Sequence, residues 1–207
     1  MRKYIIFLRL LLIVWVLSCK TELKKENHQK KSITTALRID TNKTDTIFNA
    51  SELILSVEYV GQSRYKATWS NRYFKNQDTL KILENGNLSI QSSKEKGIYL
   101  QQGCGTSCFF GYVLPFKPKA IAKYYMYPFA VDLENDMIAY NGEDEKHLMI
   151  VENYLTGKKQ FIKADFLPGP YPGHSIDSVV FQNNNRLFIQ WKLENGKVEK
   201  KLFELKE

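Results

Sequence analysis

The stretch NRLFIQWKLENGKVEKKLFELKE, residues 185–207, decides the fold class. Apolar and polar residues alternate with period two on both sides of Asn195-Gly196, which is the pattern of half-buried strands. Asn-Gly is the strongest short hairpin signal, because a type I′ turn needs positive φ at both central positions. Folding the chain there sets Leu193 against Val198, Trp191 against Lys200 and Ile189 against Leu202. On the other face Glu194 meets Lys197, Lys192 meets Glu199 and Phe188 meets Phe203. Opposite charges and matched apolar side chains then lie across from one another, which is where antiparallel sheets gain stability.

Working outward, the same device recurs. LKILENGNLSIQ (80–91) carries Asn85-Gly86 and would set Leu83 against Leu88, and HLMIVENYLTGKKQFIKADF (147–166) turns at Thr156-Gly157. The segment KPKAIAKYYMYPF (117–129) allows at most one short turn of helix before Pro128 ends it. Residues 137–162 and 178–205 each read strand, polar turn, strand, Gly-containing turn, strand, about 40 residues apart. That repeat resembles β-propeller blade grammar, although the body has room for only three or four blades. Residues 47–207 are therefore expected to form a single all-β domain of antiparallel hairpin sheets. A sandwich, an open barrel and a partial propeller-like arrangement are the candidate architectures.

The N-terminus, MRKYIIFLRLLLIVWVLSCK, has a basic start and an apolar run too short to span a bilayer, as a secretory signal does. Val16-Leu17-Ser18-Cys19 resembles the lipobox of bacterial lipoproteins. The resemblance implies cleavage after residue 18 and a diacylglycerol thioether on Cys19, with further acylation of the new terminus by a fatty acid such as palmitate. Residues 1–18 would be a signal peptide, and residues 19–46, polar and rich in lysine, a flexible tether. Lys20-Thr21-Glu22 is similar to the Lys-plus-acid export signal of some Gram-negative lipoproteins, with Thr21 interrupting it. This places the chain in the cell envelope, favours the outer membrane over the inner, and leaves periplasmic and surface faces open.

Charge narrows the partners. The formal net charge is +8, and loss of Arg2, Lys3 and Arg9 with the signal leaves +5. Five Lys and two Glu between Lys20 and Lys31 account for +3 of that, so the body carries only +2. A body so near neutrality lacks the basic footprint of a nucleic-acid binder. The tether lysines can sit near anionic headgroups or simply be solvated.

Cys104 and Cys108, in LQQGCGTSCFFGYVLPF (100–116), lie between two strand-like flanks with Gly105-Thr106-Ser107 as a hairpin tip. In an oxidising envelope such a pair is expected to form a disulfide. Thiol chemistry and a metal assembled from distant strands are the alternatives. The spacing is not that of a thioredoxin motif. Phe110 and Leu114 stand where a Cys-x5-Arg phosphate loop needs arginine, and His147 and His174 lack zinc-finger spacing. His174 beside Asp177 is a candidate catalytic pair, but no Gly-x-Ser-x-Gly elbow supplies a nucleophile. Eight aromatics crowd residues 109–129. Most should be core, while Tyr112, Tyr124, Tyr125 and Tyr127 are candidates for contact with a protein or glycan.

No residue pattern calls for a cofactor or a metal. The expected function is that of a lipid-anchored envelope protein whose β domain binds a partner or serves structurally, without catalysis. A thiol-dependent or hydrolytic enzyme using Cys104, Cys108 or His174 is one alternative. An inhibitor or immunity-type lipoprotein is another.

Overall fold

The computed structural model describes residues 46–50 as backbone, and 52–83, 88–105, 108–142, 146–167, 169, 173–183 and 185–206. The signal peptide, Cys19, the tether up to residue 45, the Asn85-Gly86 turn and the tip residues Thr106 and Ser107 lie outside them.

The described residues are all-β, in four antiparallel sheets that follow one another in chain order, none closed into a barrel. The first comprises β1 (Thr46–Ala50), β2 (Leu53–Gly61), β3 (Arg64–Ser70) and β4 (Lys75–Lys81). The second comprises β5 (Leu88–Lys94), β6 (Gly97–Gly105), β7 (Cys108–Pro115) and β8 (Lys123–Met126). The third comprises β9 (Pro128–Asp132), β10 (Met137–Tyr140), β11 (Met149–Asn153) and β12 (Lys159–Ile162). The fourth comprises β13 (Ile176–Gln182), β14 (Arg186–Lys192) and β15 (Val198–Glu204). Each is an up-and-down meander. The repeated segments 137–162 and 178–205 both fold as three-stranded meanders, β10–β12 and β13–β15.

Three apolar clusters join the sheets in series. Leu55, Trp69 and Leu80 of the first sheet pack with Ile90, Ile98 and Leu114 of the second. Tyr99, Val113 and Tyr125 on the opposite face of the second pack with Ile138 of the third. Met149 and Val151 of the third pack with Leu187, Ile189 and Trp191 of the fourth. The burial periodicities follow from this. β3 and β14, each in an end sheet with one wet face, alternate residue by residue, whereas Phe110–Pro115 of β7 is buried without interruption. A sheet covered on both faces needs no polar side, so its strands read as continuous apolar runs. Two fully buried tryptophans satisfy their indole N–H on distant backbone: Trp69 donates to the Pro115 carbonyl (2.9 Å) and Trp191 to the Asp165 carbonyl (2.8 Å).

Two expectations need correction. β14 and β15 pair, but one residue away from the anticipated register: Trp191 faces Glu199, Lys192 faces Val198, Phe188 faces Leu202 and Leu187 faces Phe203. The turn is the cause. Gly196 takes φ +77°, and Asn195 is not left-handed. The Gly196 N–H donates to the Leu193 carbonyl (2.9 Å) and the Leu193 N–H to the Lys197 carbonyl (2.8 Å). This is a three-residue loop ending in a glycine bulge, and not the two-residue type I′ turn. Phe203 in place of Leu202 thereby reaches the core side, and Glu199, Lys200, Lys201 and Glu204 put charge along this edge strand, where it discourages further pairing.

The second correction concerns the pairing of Leu83 with Leu88: β4 pairs with β3 while β5 opens the next sheet, where Leu88 faces Gln102. Leu83 is held instead by the wholly buried Gln102, whose side-chain amide donates to the Leu83 carbonyl (2.9 Å) and accepts from its N–H (3.1 Å). Residues 123–126 form β8: Tyr124 and Tyr125 pair with Tyr112 and Gly111 of β7, which puts the side chains of these adjacent strand residues on opposite faces.

Candidate functional site

β8 is the short edge strand of the second sheet, and the chain leaves it for the third sheet at Tyr127. That residue has φ +49°, a conformation uncommon for a non-glycine residue. It is held from both sides: its N–H donates to the Phe109 carbonyl of β7 (3.0 Å), and its carbonyl accepts from Asn141, just beyond β10 (3.1 Å). Phe109 adds an edge-on ring contact to Tyr127, with centroids 5.8 Å apart. Phe109 in turn follows Cys108, which is bonded to Cys104 across the tip of the β6–β7 hairpin, with Cα atoms 5.0 Å apart. The disulfide therefore stiffens the strand end against which the crossover rests.

The four candidate tyrosines do not share one exposed face. Tyr112 is 5% exposed. Its hydroxyl donates to the Lys81 carbonyl (2.7 Å) and accepts from the Lys81 N–H (3.2 Å), which ties the first sheet to the second. Burial pushes its pKa up to about 12, against the lowering effect of the Lys81 bond. Tyr125 is 6% exposed and faces the third sheet. Burial, and then the nearby Glu152 carboxylate, push its pKa up. Tyr124 is half exposed, with its ring leaning on Phe110 and Tyr112 (5.5 and 5.4 Å between centroids), and Tyr127 is partly exposed. Tyr112 and Tyr125 are thus framework, and Tyr124 and Tyr127 remain available for contact.

Beneath the β8 edge lies a group that was not singled out from the sequence. Glu152 of β11 is buried. It accepts from the Tyr125 hydroxyl at one oxygen (3.1 Å) and from the Tyr140 hydroxyl at the other (2.8 Å). Lys159, its cross-strand partner on β12, brings an ammonium to 3.5 Å. The Tyr125 and Tyr140 rings meet at 5.0 Å. These groups, with Lys123, Tyr124, Met126 and Asn141, line a concavity of about 320 Å³. A charged residue placed inward on an otherwise apolar strand, opposite Lys159 across the Thr156-Gly157 turn, is the signal that could have found it. Tyr125, whose pKa is raised, serves here as a hydrogen-bond donor to the carboxylate.

A second, larger concavity, about 1200 Å³, opens between the third and fourth sheets and includes Trp191, Phe203, His147 and His174 in its lining. Met126 and Asn141 line both, so the two meet at a saddle where Met126 is half exposed. His174 sits in the larger one, packed closely over Gly169, while the carboxylate of Asp177 pairs with Lys192 at 3.2 Å. The structure thus turns Asp177 to Lys192.

Taken together, the described residues define an all-β stack of meander sheets with a two-lobed groove at the crossover from β8 to β9. Comparison with protein-family models, with curated proteins and with solved structures finds no match to this chain.

Proposed function

We propose that the chain is a lipid-anchored binding protein of the cell envelope, held by Cys19, with its β domain engaging an extended partner along the two-lobed groove and performing no catalysis. The observation that carries this reading is the half-exposed pair Tyr124 and Met126 on edge strand β8, beside two concavities that both include Met126 in their lining. Aromatic and methionine side chains on such a support are favoured contact groups. The lipobox and the polar tether support the address, since lipid attachment at Cys19 would leave the domain free to reach a partner away from the bilayer.

A photo-crosslinking residue at position 124 should form adducts in intact cells, and the same residue at exposed Val180, on the outer face of the fourth sheet, should not. Equal labelling at the two positions, or none at 124, refutes the binding reading. Cys19→Ala should abolish lipid modification and release from the membrane should follow. A variant that stays membrane-bound without lipid refutes the anchor.

A further inference from the structure

Each end sheet leaves one face uncovered, and the two faces differ in chemistry. On the fourth sheet Val180, Phe188 and Leu202 pair across three strands as an apolar row. On the first sheet the outward residues are mostly polar or cationic. Exposed Arg64 and Lys66 alternate with buried Tyr65 and Ala67 on β3, and exposed Lys75, Gln77, Thr79 and Lys81 alternate with inward residues on β4. The register sets Arg64 against Lys81, Lys66 against Thr79 and Ser70 against Lys75. Arg64, Lys66, Lys75 and Lys81 therefore share one face of β2–β4 with one carboxylate, that of Glu58, opposite Lys66. Asp78 points the other way, where it accepts from the Ala122 N–H (2.9 Å). The net charge of the whole body is only +2, so cationic charge is sorted onto this face and not spread evenly.

The turn from β3 to β4 sits at the Lys75 end of the face. The Asn71 side chain accepts from the N–H groups of Tyr73 and Phe74 (2.9 and 2.8 Å), with Phe74 packed on the core and Tyr73 67% exposed. The Arg72 guanidinium lies over the Tyr73 ring, 4.5 Å from its centroid, and Ile54 is exposed opposite Ser70. A tyrosine, an arginine and an aliphatic side chain beside lysines are groups that settle at the boundary between lipid headgroups and water.

The chain also enters the domain here. Residues 20–45 separate Cys19 from Thr46 of β1, and a chain of that length spans at most about 100 Å. A domain confined within that radius of a bilayer is held at about millimolar concentration against it. Each lysine or arginine close to an anionic leaflet strengthens association by about fivefold, so the cationic excess on this face strengthens it by about a hundredfold. Attraction of that order matters for a domain already held at millimolar concentration and is too weak to collect a free one. A nucleic acid or acidic polysaccharide is less well served, since a strong polyanion site makes roughly 6–10 phosphate contacts.

We infer that the outer face of the first sheet docks reversibly on an anionic lipid surface, the leaflet that holds Cys19, with the β3–β4 turn at the headgroup boundary. Neither concavity of the groove includes a first-sheet residue, so docking does not fill the groove. This rests on the lipid anchor at Cys19, and the test separates the two claims.

The full chain, expressed with its own signal, carries a fluorescent residue at exposed position 79 on the docking face or at exposed position 180 on the fourth sheet. It is reconstituted into vesicles of phosphatidylcholine, alone or with phosphatidylglycerol, that contain a headgroup-linked nitroxide quencher. The chain should float with both kinds of vesicle through its anchor. Fluorescence at 79 should be quenched more on the anionic vesicles, high salt should remove the difference, and fluorescence at 180 should respond to neither. Lys66→Glu with Lys81→Glu reverses the excess and should abolish the response. If that pair disturbs the fold, Lys66→Gln should weaken docking by about fivefold. Equal quenching at 79 on the two kinds of vesicle, equal quenching at 79 and 180, or a response that survives the double charge reversal overturns the inference. So does a face that ignores anionic vesicles and holds heparin. A chain that floats with neutral vesicles yet shows no difference at 79 refutes docking and leaves the anchor standing. A chain that floats with anionic vesicles alone, quenched at 79, supports docking and refutes the anchor, and one that floats with neither refutes both.

Discussion

Alkaline pH should unfold this domain abruptly, and the buried tyrosines set where. Tyr99, Tyr112, Tyr125 and Tyr154 are all buried, and burial is the first cause that raises each pKa above its ordinary value of 10. A raised pKa means that the folded state holds the phenol proton at a pH where the unfolded chain has released it. The stabilisation is therefore complete below pH 10 and is lost as pH rises towards the folded value, at about 1.4 kcal/mol per pH unit for each group. For Tyr112, whose pKa is pushed up to about 12, the loss across that window is at most about 2.7 kcal/mol. Four such groups together remove about 5 kcal/mol per pH unit, against a total stability of roughly 5–15 kcal/mol for a domain. The transition should fall between about pH 11 and 13, with tyrosinate absorbance and loss of the strand circular dichroism signal rising together. Tyr112→Phe should lower stability at neutral pH by about 1–3 kcal/mol, because the Lys81 N–H and carbonyl both lose a partner. The same variant should flatten the alkaline slope by one group's share, since one fewer proton is released on unfolding. Smooth titration of every tyrosine near pH 10 with the dichroism intact would refute the reasoning, as would an unchanged slope in Tyr112→Phe.

Two further outcomes follow from local geometry. Gly111→Ala would place a Cβ 2.6 Å from Tyr99 Cε2 and 3.0 Å from the Leu100 carbonyl, inside a strand covered on both faces. Thermal unfolding should show a loss of about 1–3 kcal/mol, and an unperturbed midpoint would mean that β6 and β7 are not packed as described. Replacing Cys104 and Cys108 together by serine opens a very short loop, so the loss should be only about 2 kcal/mol by chain entropy. Hydrogen exchange should then speed up at Phe109 and Tyr127, which the stapled strand end supports, and not at Trp69 or Leu80 in the first sheet.

The all-β class was legible because alternation and Gly-containing turns are local signals, read within a dozen residues. The Thr156-Gly157 hairpin and the strands flanking Cys104 and Cys108 form for that reason. The register around Asn195-Gly196 was not legible, since two-residue and three-residue loops share the same Asn-Gly sequence, and the choice is made by which core residue the neighbouring sheet accepts. Leu187 and Trp191 pack against the third sheet, and Phe203 joins them only in the three-residue form. The expected pairing of Leu83 with Leu88 failed for a related reason. The local turn signal competes with Gln102, 19 residues away, which satisfies both backbone groups of Leu83 and so ends one sheet at the point where the next begins. The aromatic cluster was visible as composition, but whether a tyrosine on β7 or β8 is core or contact depends on which of its two faces a neighbouring sheet covers.

That dependence bears on where function can reside. In a stack whose two inner sheets are covered on both faces, the face positions of β6, β7, β10 and β11 are committed to packing, and a ligand can be met only at strand edges, at crossovers or on the two outermost faces. β8 and the Tyr127 crossover are such a place, and the only buried carboxylate found among the described residues, Glu152, lies directly beneath them. Burying that carboxylate costs free energy unless its acceptors are filled. Two phenols, whose rings meet at a tilt, and the Lys159 ammonium do that filling. If the cluster served only to join the second and third sheets, a well-packed apolar trio would do so at least as well. A Glu152→Leu, Tyr125→Phe, Tyr140→Phe triple variant should therefore be as stable as the native chain, or more so, in thermal unfolding, while losing ligand at the groove. A triple variant that is far less stable than the native domain would mean that the network is there to hold the sheets together.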